Sequence, residues 1–467
     1  MACNIITPKH KTTNGQNFIS ALDNDQLYFF IGKIETWGGS DVAPSADPTF
    51  SVDDEFASWR KIYALKRITT ADVSLVTKRF NWTSGTAYDR YDHDDTALYD
   101  GPKDFYVLET TNDRVFKCLD NNSPIPFVET ADRSTPATST NRPEGTESSG
   151  VFSGSSDSYK WIFLYDLTDA QIKFLTDDWL PVRELDSDDF TRQWTAQETA
   201  VDGAVDIVDI TAVGSGYTNG DYSVDVNALN SDGTGFAATA TVSGGAVTAI
   251  SVTAPGKDYT RLSISMPAAA GGSDATFAPI FSPKGGHASN AVRELQPPSL
   301  MIHVELDRDE NGTFSTANDF RFFGIIRNPQ IIDSDTTSDT YNKPIDATGE
   351  SYSQTQDLTV TLTTPSTNFI KDEEVFVGAD YDNATAKGRI VEWNNTTNIL
   401  KLVDTYGSFA VDDTIKENSD AAITATISSI NNADLVPYSG DILYIENTNP
   451  ITREPNQTEQ INIIVNF

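Results

Sequence analysis

An acidic run with one histidine is the part of the sequence with the most direct capacity for chemistry. Asp92, His93, Asp94 and Asp95 offer carboxylate oxygens and an imidazole nitrogen, which are donors that suit a divalent cation. Four consecutive residues cannot all face one ion, however, and no partner histidine lies nearby. The sequence also contains no EF-hand spacing, HExxH motif or zinc-binding cysteine pattern. We therefore predict a solvated acidic loop and assign no metal ligand.

The residue types used in nucleophilic catalysis are present but scattered. The histidines lie far apart in the sequence, at His10, His93, His287 and His303. His303 lies in an alternating strand pattern, which is typical of a structural histidine, and no G-x-S-x-G motif occurs. The glycine-rich stretches at 214–216 and 284–287 lack the strand-to-helix context of a phosphate loop, so we interpret them as turns. We predict no catalytic residue and no cofactor.

An aromatic loop supplies the candidate binding residues. Trp82, Tyr88, Arg90 and Tyr91 lie close together in a polar segment. Exposed aromatic rings stack on sugars, but Tyr, Trp and Arg are also the residues that concentrate in protein interfaces. We assign these four residues to a protein interface. The 68 acidic residues of the chain make any single carboxylate pair uninformative about glycoside hydrolysis.

The charge and composition exclude several classes of partner. Acidic residues outnumber basic ones by 68 to 33, for a net charge of −35, whereas binding to nucleic acid requires clustered Lys and Arg. Such acidity favours solubility and docking onto less acidic protein surfaces. The two cysteines, Cys3 and Cys118, indicate no disulfide framework. No apolar run reaches the roughly 18 residues of a membrane span, and the N-terminus lacks a secretion signal. We expect synthesis in the cytosol.

The apolar patterns predict an α+β protein that is predominantly β, with a discontinuous antiparallel core and a few short helices. Ser51 is a suitable N-cap, and the apolar spacing after it predicts an amphipathic helix near 52–64. The segment before residue 26 is interpreted as a polar arm. Two C-terminal strands are predicted at 441–446 and 460–467, and we expect their partners to come from far upstream, because a chain end frays unless it is docked.

Two segments contain internal repeats. Gly203 and Tyr217 recur as Gly245 and Tyr259, which places the two copies 42 residues apart. A second, weaker repeat lies within 351–437. Both read as all-β modules inserted in a core, and we expect them to face outward. The predicted organisation is a core in three parts and two modules: core 1–200, Gly/Ala/Thr-rich module 201–285, core 286–350, module with two related halves 351–437, and core-closing strands 438–467.

Several core segments together resemble the baseplate wedge protein called gene product eight in T-even-type contractile-tailed phages. The matching segments keep the same order and are spread over the predicted discontinuous core, which makes up about three-fifths of the chain. They are FFIGKIETWGGS (29–40), RFNWTSGTAYDRYD (79–92), FYVLETTNDRVFKCLDNN (105–122), RPEGTESSG (142–150), SYKWIFLYDL (158–167), FRFFGIIRNP (320–329) and the C-terminal 439–467. The two repeat modules have no counterpart in this resemblance.

The resemblance implies a non-enzymatic structural subunit of the virion, assembled in the host cytoplasm. It implies a homodimer within each wedge that contacts other wedge proteins and takes part in baseplate assembly and rearrangement during contraction. No nucleic acid or membrane partner follows from it. One alternative is a glycan- or receptor-binding tail protein, for which the repeat modules are the cue. Another is a polysaccharide depolymerase, although the long many-runged β-helix typical of that class is absent from the pattern.

The predicted closing role of the C-terminus is testable by truncation. Deleting 460–467 should abolish folding of the core, because the terminal strand would leave its partners unpaired. Deleting 201–285 or 351–437 should leave a soluble core. Circular dichroism and light scattering of the purified variants would distinguish these outcomes, and a terminal truncation that remains folded and dimeric would contradict the closing role.

Overall fold

A computed structural model describes residues 6–467 except 45–50, 100, 102, 124–136, 146–151, 154–156, 268–270, 317 and 364–367. Cys3 and parts of the RPEGTESSG segment therefore lie outside the described residues. The described chain is mostly antiparallel β-structure with five helices, so the α+β, predominantly β class is confirmed.

The helices and strands are numbered here in chain order, and the longest connections lie between β3 and β4 and between β5 and β6. The elements up to residue 199 are α1 (Pro8–Ala21), β1 (Leu27–Gly32), α2 (Val52–Lys61), β2 (Ile62–Ile68), β3 (Val73–Lys78), β4 (Tyr106–Glu109), β5 (Arg114–Asp120), β6 (Phe152–Ser153), β7 (Lys160–Asp166), α3 (Asp169–Ile172), β8 (Trp179–Val182) and α4 (Arg192–Thr199). The elements up to residue 307 are β9 (Ile207–Ala212), β10 (Gly220–Ser223), β11 (Asp225–Val226), β12 (Thr234–Ser243), β13 (Ala246–Lys257), β14 (Ile264–Ser265), β15 (Thr276–Ile280), α5 (Ala291–Leu295) and β16 (Ser299–Asp307). The remaining elements are β17 (Asp319–Arg327), β18 (Gln330–Ile332), β19 (Pro344–Asp346), β20 (Ser351–Ser353), β21 (Gln356–Leu362), β22 (Glu374–Val377), β23 (Ala386–Asn394), β24 (Ile399–Gly407), β25 (Thr414–Glu417), β26 (Thr424–Asn431), β27 (Asp441–Thr452) and β28 (Thr458–Asn466).

The chain forms two compact units, each built from separate stretches of sequence. The first unit comprises Met1–Gln16, Ser74–Met301 and Ile464–Phe467, and the second comprises Asn17–Val73 and Ile302–Ile463. The segment 1–200 therefore contributes to both units. The Gly/Ala/Thr-rich module belongs to the first unit, and the module at 351–437 belongs to the second.

The first unit contains a four-stranded antiparallel sheet in the order β4-β5-β7-β6. Asp113 turns the β4–β5 hairpin with a left-handed φ of 52°, a conformation that Asp adopts more readily than most residues. Strands β5 and β7 are buried along five consecutive residues each. Burial on both faces explains why β7 reads as a continuous apolar run rather than as an alternating pattern. In β5 the buried stretch includes the charged residue Lys117.

The repeat at 201–285 forms two interlocked halves. Strand β9 of the first half pairs with β15 of the second, and β13 of the second half pairs with β12 of the first. The repeated tyrosines make equivalent hydrogen bonds in the two halves. The hydroxyl of Tyr217 accepts a hydrogen bond from the Ala275 N–H (2.9 Å), and the hydroxyl of Tyr259 accepts one from the Phe236 N–H (3.3 Å). Each half's first strand is thus completed by the other half's last strand.

The second unit contains a five-stranded antiparallel sheet in the order β20-β2-β1-β17-β27. Its core combines aromatic and aliphatic side chains from distant segments, among them Tyr28, Phe30, Phe322 and Ile445. Strand β17 lies between β1 and β27, with Ile325 opposite Phe29 on one side and Tyr444 on the other. The sheet is therefore assembled from the beginning, middle and end of the chain.

Helix α2 begins as predicted but ends earlier. The Ser51 hydroxyl caps it by accepting from the Asp54 N–H, and three acidic residues occupy the first turn, where the helix dipole favours negative charge. The helix ends at Lys61 because Ile62 adopts extended backbone angles and begins β2. Tyr63, which the spacing placed on the helix, lies instead in a strand that pairs with β1.

Helix α1 replaces the predicted polar arm. It buries only Thr12 and Gly15, so it lacks the apolar stripe by which sequence patterns reveal a helix. Its anchoring depends on contacts that no local pattern shows. The Thr12 hydroxyl donates to the Pro297 carbonyl (3.1 Å), and Gly15 lies against Leu75 and the ring of the final residue, Phe467.

The module in the second unit contains a closed six-stranded barrel in the order β21-β24-β23-β22-β25-β26. Its two halves share one turn geometry. Asp372 and Asp412 both have left-handed φ angles, of 67° and 72°, and their N–H groups donate to Ile390 and Ile427 at 2.9 Å. Because the barrel is closed, its strands leave no sheet edge open.

The C-terminal strands lie beside distant partners. Strand β27 pairs with β17, and β28 lies beside β16. Between them, the buried Arg453 donates to the Glu459 carboxylate (2.8 Å) and to the carbonyl oxygens of Phe314 and Arg308. This arginine fixes the connection between the two strands, because each of its three guanidinium nitrogens donates to an acceptor from a different part of the unit.

Gly324 tests the close packing of β17. A Cβ atom at this position would overlap the Tyr444 carbonyl oxygen and the Phe30 ring. We expect Gly324→Ala to lower the free energy of unfolding by about 3 kcal/mol, since overpacking forces strands apart. Gly39→Ala is the matched control, because a Cβ there meets nothing within 4 Å. Urea denaturation of both variants measures the effect, and equal stabilities would contradict it.

Candidate functional site

The predicted interface residues lie in the first unit, and three of the four are buried within their own chain. Tyr88, Arg90 and Tyr91 are 2%, 4% and 5% exposed. Trp82 is half-buried, and its indole N–H donates to the Ser139 hydroxyl (3.1 Å). The expectation that this loop exposes its aromatic side chains is therefore wrong for Tyr88 and Tyr91, and Arg90 is buried with them. The assignment of these residues to a protein interface stays a prediction.

Tyr88 anchors the loop to the β4–β7 sheet. Its ring packs edge-on against Trp161, with ring centroids 5.7 Å apart, and its backbone N–H donates to the Tyr159 hydroxyl (3.0 Å). The Asn121 amide donates to its carbonyl (3.0 Å). Ring and backbone are thus both engaged, and the side chain serves packing rather than binding.

Arg90 joins this loop to the Gly/Ala/Thr-rich module. Its guanidinium donates two bonds to the carboxylate of Asp209 on β9, at 2.8 and 2.5 Å, and lies 3.6 Å from Asp92. Burial works to lower the pKa of Arg90, but the bonds and charge of Asp209 outweigh it and raise the pKa above its ordinary value. A buried charge is tolerated in a protein interior when it forms an ion pair with good hydrogen-bond geometry, as this bidentate arginine–carboxylate pair does.

A second buried charge lies next to Tyr91. The Lys117 ammonium pairs with the Glu294 carboxylate and lies 4.7 Å from the centre of the Tyr91 ring. His287 packs edge-on against the same ring at 5.1 Å. Burial, followed by the Lys117 charge, lowers the pKa of His287 well below its ordinary value, so this imidazole is neutral.

These groups have the residue types of acid–base chemistry but not its access. Lys117, Glu294 and His287 are 0%, 2% and 6% exposed. The Oε1 atom of Glu294 and the Nδ1 atom of His287 find no hydrogen-bond partner among the described residues. A general acid or base must come within hydrogen-bonding distance of the proton that it transfers. Because these side chains are buried, a substrate cannot come that close to them. We interpret the cluster as structural.

The acidic run is partly drawn into the same interior. Donor atoms of Asp92, His93 and Asp94 lie within 4.8 Å of one another, beside a small pocket of about 110 Å³ that Asp209 also lines. Burial opposes ionisation of Asp92, but hydrogen bonds from His93 and Asp94 and the charge of Arg90 lower its pKa below the ordinary value. A cation would have to share the Asp92 carboxylate with the Arg90 guanidinium, so we assign no metal ligand.

Sequence reasoning missed an exposed aromatic cluster in the second unit. Phe56, Tyr406 and Tyr438 are 45%, 50% and 47% exposed. They come from α2, β24 and the segment before β27, which are far apart in the sequence. Tyr438 packs against Phe56 and Trp59, with ring centroids 5.1 Å apart in both pairs. No spacing pattern brings these residues together, because their proximity is a product of the tertiary fold.

Comparison with known proteins identifies no family. No protein-family model matches the sequence, and no curated protein matches it either. Within the described part of the chain, none of the helices has the length and apolar character needed to cross a membrane.

The Arg90–Asp209 contact also bears on the deletion of 201–285. Removing this module would take away Asp209, the main carboxylate partner of Arg90, and Phe281, which packs against His93 and accepts a bond from the Tyr91 hydroxyl. The deletion would therefore break an ion pair and expose aromatic surface, which promotes aggregation. The structure therefore gives a physical reason against the expectation that this deletion leaves a soluble core.

Replacing Arg90 tests the contact directly. We expect Arg90→Leu to lower the free energy of unfolding by about 3 kcal/mol, because Asp209 and Asp92 would lose their shared cation. Arg261→Leu is the control, since Arg261 is 68% exposed at its side chain and lies 3.8 Å from Asp232. That change should cost less than about 0.5 kcal/mol. Guanidinium denaturation measures both, and similar values would show that Arg90 is not a main stabilising contact.

Proposed function

We propose that this chain is a structural subunit of the baseplate wedge of a contractile phage tail. Its role is to hold wedge proteins together and to take part in baseplate assembly and in the rearrangement on contraction. The proposal rests on the ordered resemblance of its core segments to gene product eight of T-even-type phages. Its localisation is then the virion, after assembly in the host cytoplasm.

The observation that best supports the proposal is where the resembling segments lie. In the second unit, the segments at 29–40, 320–329 and 439–467 supply β1, β17 and β27, which are consecutive strands of one sheet. In the first unit, those at 105–122 and 158–167 supply β4, β5 and β7, which are also consecutive. The resemblance thus follows the hydrogen-bonded framework of both units, as expected if it reflects a shared fold.

The chemistry of the described residues suits a mechanical role. The clustered titratable groups of the first unit are closed to substrate, and their charges are used in ion pairs. The net charge of −35 favours docking against less acidic neighbouring proteins. We propose that the partners are a second copy of the chain and other wedge proteins, with no enzymatic activity.

The position of the chain in a virion tests this function. Electron cryomicroscopy of particles of the encoding phage should show density for both units in the baseplate, in copies that follow its sixfold symmetry. Labelling the chain with a small fused tag provides the control for assignment. Density only in the capsid, the tail tube or a fibre tip would contradict the proposal.

The oligomeric state provides an independent test. Light scattering of the purified chain at micromolar concentration should give twice the mass of one chain, because the proposed subunit is a homodimer. Dilution should preserve this mass if the interface is of the large, stable kind. A monomer throughout the concentration range would contradict the dimer.

A further inference from the structure

A groove of about 640 Å³ lies in the second unit, and Trp59 and Tyr438 are among the residues that line it. Its walls come from the end of α2, from 402–405 of β24, and from the segment 432–438. This volume falls within the range of small-molecule binding sites. The groove is distinct from the buried charge clusters of the first unit, and none of the contacts described above uses its interior.

An aromatic platform forms one side of the groove. The Tyr438 ring is held by Phe56 and Trp59, while about half of the residue stays accessible. The Trp59 indole N–H donates to the Ser439 carbonyl (3.2 Å), which fixes the backbone beside this ring. Aromatic faces carry partial negative charge, and the C–H bonds on one face of a pyranose ring are polarised positively. A rigid, half-exposed ring of this kind suits stacking against a sugar.

Polar side chains with paired donors and acceptors line the remaining walls. Gln356 donates to the Asn432 amide oxygen (3.0 Å), and Gln354 accepts from the Leu435 N–H (3.2 Å). Each amide has further donor or acceptor positions beyond the bond it makes. Asp404 adds a carboxylate to the same surface. Amides and carboxylates of this type can donate to and accept from the hydroxyl groups of a saccharide.

Two residues of the groove have left-handed backbone conformations. Asp404 and Tyr438, which are not glycines, have left-handed φ angles of 48° and 60°. An aromatic residue rarely adopts this conformation. Strain of this kind persists where the surrounding structure enforces it, and it concentrates at ligand sites. Asp404 adopts this conformation at little cost, so of the two only Tyr438 is strained, and it lines the groove.

The charge of the groove selects among saccharides. Asp404 and Asp434 supply two carboxylates, whereas Arg60 supplies the cation. Arg60 is already engaged, 3.4 Å from Asp404 and 5.4 Å from the centre of the Tyr406 ring. A sulfated or carboxylated sugar would meet net negative charge. We propose that this groove binds a short neutral oligosaccharide, with Tyr438 as the stacking platform and Gln356 as a hydroxyl-binding group.

Sugar binding by this groove goes beyond the proposed role in the baseplate wedge, and the two proposals are tested by independent experiments. Isothermal titration of the full chain with maltohexaose, cellohexaose and chitohexaose should show saturable binding of at least one. Tyr438→Ala should weaken that binding at least about tenfold, which is the scale of one lost stacking contact. Tyr341→Ala is the matched control, because Tyr341 is 49% exposed in the same unit and does not line the groove. This variant should bind normally.

A second variant distinguishes a loss of sugar binding from a loss of folding caused by Tyr438→Ala. Gln356→Glu keeps the size of the side chain but replaces its amide donor with a carboxylate, and it should also weaken binding about tenfold. Three results would overturn the proposal: no binding of the three sugars at millimolar concentration, equal binding by wild type and both groove variants, or tighter binding of a heparin hexasaccharide. Binding of decaproline without sugar binding would instead assign the groove to a peptide.

Discussion

The second unit depends on the pairing of β17 with strands that are remote in the sequence. Phe29 and Tyr444 lie on opposite sides of Ile325, so the sheet cannot close until the chain has returned from both directions. Closing a long loop costs only about 0.6 kcal/mol more for each doubling of its length. This slow growth explains how the whole barrel can be accommodated between β17 and β27 without disrupting their pairing.

A different constraint governs the first unit, where charges are placed in the interior. Each such charge requires a partner from another segment: Arg90 has Asp209, and Lys117 has Glu294. The first pair connects the aromatic loop to the Gly/Ala/Thr-rich module, and the second connects β5 to α5. Buried pairs contribute less to net stability than to fixing which segments meet, because a mismatched partner would leave a charge unpaired. The Gly/Ala/Thr-rich module is therefore held to the rest of the first unit by the Arg90–Asp209 ion pair.

Local patterns in the sequence were sufficient for the fold class, the N-terminus of α2 and both C-terminal strands. They failed where burial is decided by remote contacts. Helix α1 has no apolar stripe, and the loop around Tyr88 reads as polar although its aromatic rings are enclosed. Likewise, the acidic run is identifiable in the sequence, whereas the groove around Tyr438 is not, because its walls converge only in three dimensions.

The interlocked halves of the Gly/Ala/Thr-rich module have a topological consequence. Since β9 is completed by β15 and β13 by β12, neither half is a closed fold alone, and the repeated unit is in effect a domain-swapped dimer joined by the turn at Gly244 and Gly245. A chain break in that turn would sever the backbone but leave every interstrand pairing intact. The covalent link therefore sets the local concentration of the two halves, while the exchanged strands hold them together.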